Sequence, residues 1–352
     1  MERTTKTRQK YWSHWLLYTR RFGVDPYLRT CTNNLQRNIV ITAFAARVRT
    51  GCFGRGRQVS VQTVTDALSA ISTTIQLAGE PSPVYQAPET YHLPIKRLVE
   101  GFRRLDPPSV PQLAVPVQVP AECVRMAKTV SQKMTGHLTV TAFFYLLRIG
   151  EYTLPPNGKQ KQRKRTVNFR VQDVGFWKAG RILPRASPYH ILASADSATL
   201  KITNQKNGRM GQTIHQEATQ KAVCPVKSLA FIVSHILSNG GTEANYICEY
   251  HNGTAWHHVS DANIKQAIRK AAQYLNLRAK GIDPDLLGTH SLRAGGAMAL
   301  KIQGLPDTTI MKIGRWTSLT FLQYIHNQIT HLSKDISRKI SIELPFVNVT
   351  AI

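Results

Sequence analysis

The sequence predicts a mainly α-helical protein with a small antiparallel β-sheet, an α+β fold divided between two domains. Apolar residues recur at helical spacing through most of the chain. Three segments between residues 166 and 218 instead alternate apolar and polar side chains, a pattern typical of strands. The chain has 352 residues, more than one ordinary domain, and a proline-rich run interrupts it after residue 106. We therefore assign residues 1–107 to a first domain, 108–120 to a linker and 121–352 to a second domain.

The first domain is expected to be a helical bundle. Its predicted helices cover residues 8–22, 33–50, 60–78 and 94–105. Asn33 and Ser60 are good N-terminal caps, and Pro94 suits the first turn of a helix. Gly51 and Gly79 follow the ends of the second and third helices. The linker is expected to be extended, because proline removes backbone donors and disfavours a helical conformation in the residue before it.

The second domain is expected to mix helices with a small sheet. Residues 137–155, HLTVTAFFYLLRIGEYTLP, are almost wholly apolar, and we interpret them as one buried helix. Strands are predicted at residues 166–177, 198–205 and 211–218, with the turn KNGRMG joining the last two as a hairpin. After Cys224 the pattern is again mostly helical.

The composition favours a polyanionic partner. Lys and Arg number 46 against 20 Asp and Glu, a formal net charge of +26, and chains this basic usually bind nucleic acid. No segment approaches the roughly 20 apolar residues that a membrane-spanning helix needs, and residues 1–12 lack the apolar core of a signal peptide. The five cysteines are scattered and form no C-x-x-C pair, which argues against disulfides and a zinc site. We therefore expect nucleic acid as partner, without a metal, cofactor, membrane or small-molecule substrate.

Two basic segments are candidates for contact with DNA phosphates. One is the glycine-rich turn RTGCFGRGR at residues 49–57, and the other is the run KQKQRKR at residues 159–165. The candidate contacts are Arg47, Arg49, Arg55, Arg57, Lys161, Arg163, Lys164 and Arg165. A solvated basic loop is the alternative for both segments, and a nuclear address is a further alternative for the second.

Two charged residues interrupt the apolar segment 137–155. An unpaired guanidinium at Arg148 would be costly there, so Arg148 needs a buried carboxylate or a bound anion. Glu151 lies one turn further on and is the candidate carboxylate. The sequence leaves both an internal ion pair and an anion site open.

Two further side chains that can carry positive charge lie in THSLRAGGA, residues 289–297. His290 and Arg293 share one face of the first turn of a predicted helix, where the helix dipole and free amides attract anions. Together with Arg148 they would form a poor core but a good cradle for a phosphodiester. The small residues that follow, including Gly295 and Gly296, allow another element or a DNA backbone to approach closely.

The segment after this pair contains a tyrosine of interest. One helix is predicted to begin at residues 305–307 and to end at Gly314, and a second helix carries Tyr324 among apolar residues. In isolation a tyrosine on an apolar helix is either a core residue or a nucleophile.

The order HSLR, GRW and FLQYIH resembles the tyrosine recombinase family, also called phage-type integrases. The signature of that family is Arg, Lys, His-x-x-Arg, His or Trp, and Tyr. HSLRAGGA and GRW followed by FLQYI most resemble recombinases of eukaryotic mobile elements of the Crypton and DIRS kinds. The resemblance implies a helical core-binding domain, a linker and a catalytic domain. It also implies a tetramer in the synaptic complex, and a nuclear location if the host is eukaryotic and a cytoplasmic one otherwise.

The resemblance also implies the roles of individual residues. Arg148 and Arg293 match the two catalytic arginines, and His290 matches the histidine between them. Trp316 occupies the position that is histidine in many relatives, and Tyr324 matches the nucleophile.

Two supporting roles follow in the same way. Glu151 matches the acid that orients the site. The catalytic lysine is expected at the hairpin turn, where Lys206 adjoins the turn glycine and Lys201 is the alternative.

The function implied by the resemblance is site-specific recombination, with double-stranded DNA as the partner. Such an enzyme needs no metal, because it cleaves and rejoins strands through a covalent 3′-phosphotyrosyl intermediate. The expected task is to mobilise or integrate a transposable element. Two alternatives remain: a non-catalytic DNA-binding protein derived from a recombinase, and a type IB topoisomerase-like enzyme that relaxes DNA. The tail after Tyr324 carries apolar residues that are expected to dock on a neighbouring protomer or to pack in cis.

Overall fold

The structure, a computed structural model, describes residues 2–54, 56–107, 113–155, 167–203, 211–316, 318 and 322. The chain divides into two compact units, Met1–Ser109 and Val110–Ile352. The described residues are mainly helical with small antiparallel sheets, so the predicted α+β fold class is confirmed.

The first unit is a helical bundle with one small hairpin. Its helices are α1 (Glu2–Arg21), α2 (Asn34–Arg49), α3 (Val61–Leu77) and α4 (Leu93–Leu105), and its strands are β1 (Tyr85–Ala87) and β2 (Thr90–Tyr91). The Asn33 side chain caps α2 by accepting a hydrogen bond from the Gln36 amide at 2.9 Å. Trp15 and Phe44 meet edge to face in a core that α3 completes with its apolar face. The four predicted helices are all present, whereas the sequence did not reveal the hairpin.

A buried ion pair closes the end of this unit. Arg49 is only 5% exposed, forms an ion pair with Asp106, and donates to the Val59 carbonyl oxygen at 2.5 Å. Asp106 also accepts a hydrogen bond from the Val61 amide at 2.7 Å. These bonds tie the residue after α4 to the start of α3, and they remove Arg49 from the surface where we had expected a DNA contact.

The second half of the predicted linker belongs to the second unit. Ala114 and Val115 are buried, the Val115 amide donates to the Ser291 carbonyl oxygen at 3.2 Å, and a helix begins at Gln118. Proline disfavours helix but does not prevent the apolar residues between prolines from packing. The linker assignment over residues 113–120 therefore differs from the structure, and residues 108–112 lie outside the described part.

The second unit surrounds a large apolar core with helices and a four-stranded sheet. Its helices are α5 (Gln118–Arg125), α6 (Val130–Phe144), α7 (Ile149–Tyr152), α8 (Tyr189–Ala193), α9 (Pro225–Ser238), α10 (Asp261–Tyr274), α11 (His290–Ile302) and α12 (Asp307–Gly314). Its strands are β3 (Val174–Lys178), β4 (Arg181–Leu183), β5 (Ser197–Lys201), β6 (Thr213–Glu217), β7 (Glu249–His251) and β8 (Trp256–His258). The order β4-β3-β5-β6 is antiparallel throughout, and β7 pairs with β8 separately. The predicted pairing of the last two alternating segments is therefore confirmed.

The apolar segment 137–155 is not one helix, which corrects the prediction. Helix α6 ends at Phe144, Leu146 adopts a left-handed φ of 49°, and the short helix α7 begins at Ile149. The sequence has no glycine or proline at this break. Tertiary contacts to the turn enforce the break instead. Arg148 consequently caps α7 rather than lying within a continuous helix.

Candidate active site

Three segments of the second unit meet at one site. They are the turn between α6 and α7, the first turn of α11, and the end of α12 with the two residues after it. Hydrogen bonds from Arg293 and Arg315 to the Leu146 carbonyl oxygen join all three segments. The left-handed conformation of Leu146 interrupts the helix at this carbonyl group.

Arg148 and Glu151 form the internal ion pair that the sequence left open. The Arg148 amide donates to Glu151 Oε2 at 2.8 Å, and Arg148 Nη1 lies 3.2 Å from Glu151 Oε1. The Glu151 side chain is 5% exposed, while that of Arg148 is 21% exposed. The pair therefore fixes Arg148 and still leaves part of its guanidinium accessible to an anion.

Arg293 is held by backbone groups on both sides. Its guanidinium donates to the carbonyl oxygens of Leu146 and Gly314, and the residue is 3% exposed. The carbon of the guanidinium lies 4.2 Å from the centroid of the Trp316 ring, a cation–π contact. Trp316 thus forms a wall of the site against one of the two candidate catalytic arginines.

His290 lies at the exposed start of the same helix. Desolvation of its ring, then the positive charges of Arg293 and Arg148, lower the pKa of His290 below its ordinary value. A neutral imidazole at neutral pH can accept a proton. Arg148, His290, Arg293 and Trp316, all selected from the sequence, therefore lie around one cationic site. Glu151 pairs with Arg148 at this site.

Sequence reasoning missed one residue of this site, Arg315. It is 5% exposed, and its Nη2 lies 3.0 Å from Glu151 Oε2 and 2.9 Å from the Leu146 carbonyl oxygen. Burial, followed by the charge of Arg148, lowers the pKa of Arg315, and Glu151 opposes this shift. The available signal was an arginine within the GRW pattern, directly beside Trp316.

The two glycines of α11 serve packing within the protein. A Cβ at Gly295 would overlap the Val115 carbonyl oxygen, and one at Gly296 would overlap the Phe143 carbonyl oxygen. Another element of the chain therefore occupies the space that we had considered for either an element or a DNA backbone. This close approach sets the position of α11 against α6.

Several residues selected from the sequence cannot be placed in this site. Lys206, Tyr324, Arg55, Lys161, Arg163, Lys164, Arg165 and the tail after Tyr324 lie outside the described residues. Lys201 is described as the exposed last residue of β5, paired with Thr213 of β6. In the first unit, Arg57 is exposed, and Arg47 is half-buried with its guanidinium 4.8 Å from the Phe22 ring centroid.

The first unit presents a further basic face on α4. Ile95 and Val99 are buried on one side of this helix, while Arg97, Gly101 and Arg104 are exposed on the opposite side. Positions 97, 101 and 104 share a helix face, since they are spaced by four and three residues. These arginines were not among the residues selected from the sequence.

No metal site is found among the described residues, where no group of three His, Cys, Asp or Glu side chains is arranged to hold an ion. The five cysteines are free. In the same part of the chain, no helix has the length and apolar character needed to cross a membrane.

Comparison with solved structures identifies the fold. The site-specific recombinase XerH, solved in a post-cleavage complex with its palindromic difH substrate, matches with a TM-score of 0.50 and 13% identity, over 86% of this chain and 72% of that chain. The Tn1549 transposon integrase, bound to transposon right end DNA, matches with a TM-score of 0.47 and 11% identity, over 87% and 85%. XerA recombinase matches with a TM-score of 0.39 and 11% identity, over 94% and 98%. No protein-family profile and no curated protein sequence matches this chain.

The class of fold follows from the XerH match together with the helical and sheet content described above. The chain has the α+β fold of the tyrosine recombinases.

Proposed function

We propose that this protein is a site-specific DNA recombinase that cleaves and rejoins strands through a 3′-phosphotyrosyl intermediate. The observation that carries the proposal is the convergence of Arg148, His290 and Arg293 on one site braced by Glu151. A phosphodiester in displacement gathers negative charge on its nonbridging oxygens, and fixed guanidinium groups stabilise that charge. The site-specific recombinase XerH shares the fold.

The proposed chemistry uses Tyr324 as nucleophile. Its phenolic oxygen attacks phosphorus, the bond from phosphorus to the 5′-oxygen breaks, and a 3′-phosphotyrosine forms. His290, whose lowered pKa favours the neutral ring, accepts the phenolic proton. Lys206, or Lys201 in its place, donates a proton to the leaving 5′-oxygen. Attack by a 5′-hydroxyl on the phosphotyrosine reverses these steps and joins the strand without a metal ion.

The proposed biological role is to mobilise or integrate a transposable element of the Crypton or DIRS kind. Four protomers on two DNA duplexes would form the synaptic complex, and the location would be nuclear in a eukaryotic host. These statements rest on the sequence resemblance around His290 and Trp316. The exposed basic face of α4 supports DNA binding by the first unit, because it offers Arg97 and Arg104 to phosphates.

Trapping of the covalent intermediate tests the proposal. The wild-type protein is incubated with a nicked duplex that carries the DNA flanking its coding sequence, and denaturing gels report the adduct. We expect an adduct that disappears in Tyr324→Phe and persists in Tyr189→Phe, a change of an exposed tyrosine in α8. Joined recombinant product distinguishes a recombinase from an enzyme that only relaxes DNA. DNA binding without an adduct on any such duplex would instead support a non-catalytic DNA-binding protein.

A further inference from the structure

Arg315 has a backbone conformation that calls for an explanation. Its φ is 59° and its ψ is 41°, in the left-handed region directly after α12. Glycine adopts this region freely at the end of a helix, whereas another residue costs roughly 1 kcal/mol. The presence of a large, buried, charged residue at such a position indicates that its side chain has a functional role.

The hydrogen bonds of this side chain concentrate on one nitrogen. Nη2 donates hydrogen bonds to both Glu151 Oε2 and the Leu146 carbonyl oxygen. Nε and Nη1 are buried and have no hydrogen-bond partner in the described structure. Arg185 offers a comparison, because its Nε and Nη2 donate to backbone carbonyl oxygens and its Nη1 pairs with Glu243 at 3.0 Å. Arg315 therefore makes poor use of its donors as a purely stabilising group.

Arg315 instead reaches Arg148 by two routes. Its carbonyl oxygen accepts a hydrogen bond from Arg148 Nη2 at 3.4 Å, and its guanidinium shares the Glu151 carboxylate with Arg148. Each arginine approaches a different oxygen of that carboxylate with its side chain. One negative charge thus lies between two positive charges.

We propose that Arg315 is a positioning residue that keeps Arg148 available to the DNA phosphate by holding and partly neutralising Glu151. Without Arg315, the full charge of Glu151 acts on Arg148 alone and draws its guanidinium into a closed, neutral pair. This inference rests on the proposed function for its effect on cleavage. Its effect on the geometry of the site is independent of that function.

The first test is the rate of adduct formation in Arg315→Gly, a variant that relieves the left-handed backbone. We expect the rate to fall about tenfold or more, while DNA affinity changes less than about threefold. In a Glu151→Gln background, the further change of Arg315 to Gly should alter the rate less than about threefold, since the shared charge is gone. Arg185→Met is the matched control and should leave the rate unchanged.

The second test needs no DNA and therefore remains informative if the wild-type protein forms no adduct. Desolvation and the charge of Arg293 lower the pKa of His290, and the charge of Arg148 lowers it further, so withdrawal of Arg148 toward Glu151 should raise this pKa. We expect nuclear magnetic resonance titration to give a higher His290 pKa in Arg315→Gly than in the wild-type protein, and no shift in Arg185→Met. An unchanged His290 pKa in a folded Arg315→Gly protein overturns the proposal.

The two tests together separate this proposal from the proposed function. Equal rate losses on changing Arg315 to Gly in the wild-type and the Glu151→Gln backgrounds also overturn the proposal, and they indicate a merely structural residue. An adduct-free wild type with the expected shift of the His290 pKa contradicts only the proposed function.

Discussion

At the scale of single residues, the site depends on one carbonyl group and one carboxylate. The Leu146 carbonyl oxygen accepts hydrogen bonds from Arg293 and Arg315, and Glu151 pairs with Arg148 and Arg315. Three guanidinium groups repel one another in the absence of such acceptors. The candidate site is therefore a cationic network, in which these two acceptors help to fix where each guanidinium lies.

This network predicts the titration of His290. Its pKa lies below its ordinary value, so the folded protein binds fewer protons than the unfolded chain as the pH falls below about 6.5. His290 therefore contributes stability that is present above that pH and is lost as the pH falls through the folded-state pKa. We expect Arg148→Gln to raise the pKa of His290, because it removes a nearby positive charge, as measured by magnetic resonance titration. Arg170→Gln is the control and should leave this pKa unchanged, because the Arg170 side chain bonds to Ala244 and Tyr246 and its charge is not among those that lower the pKa of His290; equal shifts in both variants would contradict this account.

At the scale of elements, helix packing decides where these residues meet. Helix α11 lies against residue 115 and the end of α6 through Gly295 and Gly296, which have no side chain to separate the backbones. The sequence identified this run of small residues but left its partner open. Short strands such as β4 and β7 carry too few residues for a periodic signal, and only their pairing partners define them.

The close packing predicts a cost for any side chain at Gly295. Replacement by Ala forces its Cβ into the Val115 carbonyl oxygen, so we expect the free energy of unfolding to fall by about 1–3 kcal/mol or more. Urea denaturation measures the change. Gly101→Ala is the matched control, because it lies in a helix with open space around it and should be neutral or stabilising by up to about 1 kcal/mol. A Gly295→Ala protein as stable as the wild type would show that α11 can move away from residue 115.

At the scale of the whole molecule, the net charge of +26 is expected to dominate the proposed interaction with DNA. Each basic group that neutralises a phosphate releases counterions, so binding weakens as salt concentration rises. The described structure changes which arginines are expected to make these contacts. It buries Arg49 in the first unit and exposes Arg97 and Arg104 on α4.

The salt dependence of DNA binding tests this assignment. Replacing both Arg97 and Arg104 with Gln should reduce the magnitude of the slope of log K against log salt concentration by about 2, since each contact contributes about 0.9. Fluorescence anisotropy at several salt concentrations measures the slope. Arg29→Gln is the control, because Arg29 is exposed but already paired with Glu80 at 2.7 Å. A slope that stays the same in the double variant would exclude this face of α4 from the DNA contact.

The sequence alone determined the helices of the first unit, the pairing of the segments that form β5 and β6, and the selection of five residues that lie together at the candidate site. Helix caps and apolar spacing are local features, and the repeat of the backbone relates them to secondary structure along the chain. The charges of Arg148 and Glu151 were recognisable within an apolar segment, whereas Trp316 and the roles of His290 and Arg293 were recognised through the family resemblance of HSLR and GRW.

The tertiary structure decided the break of the helix at Leu146, the burial of Arg49 and the sharing of Glu151 by two arginines. The sharing of Glu151 joins residues more than 160 positions apart, namely Glu151 and Arg315. The sequence around a charged residue does not identify its partner. The interaction energy of an ion pair depends on the distance and the burial of the two groups after the elements have packed.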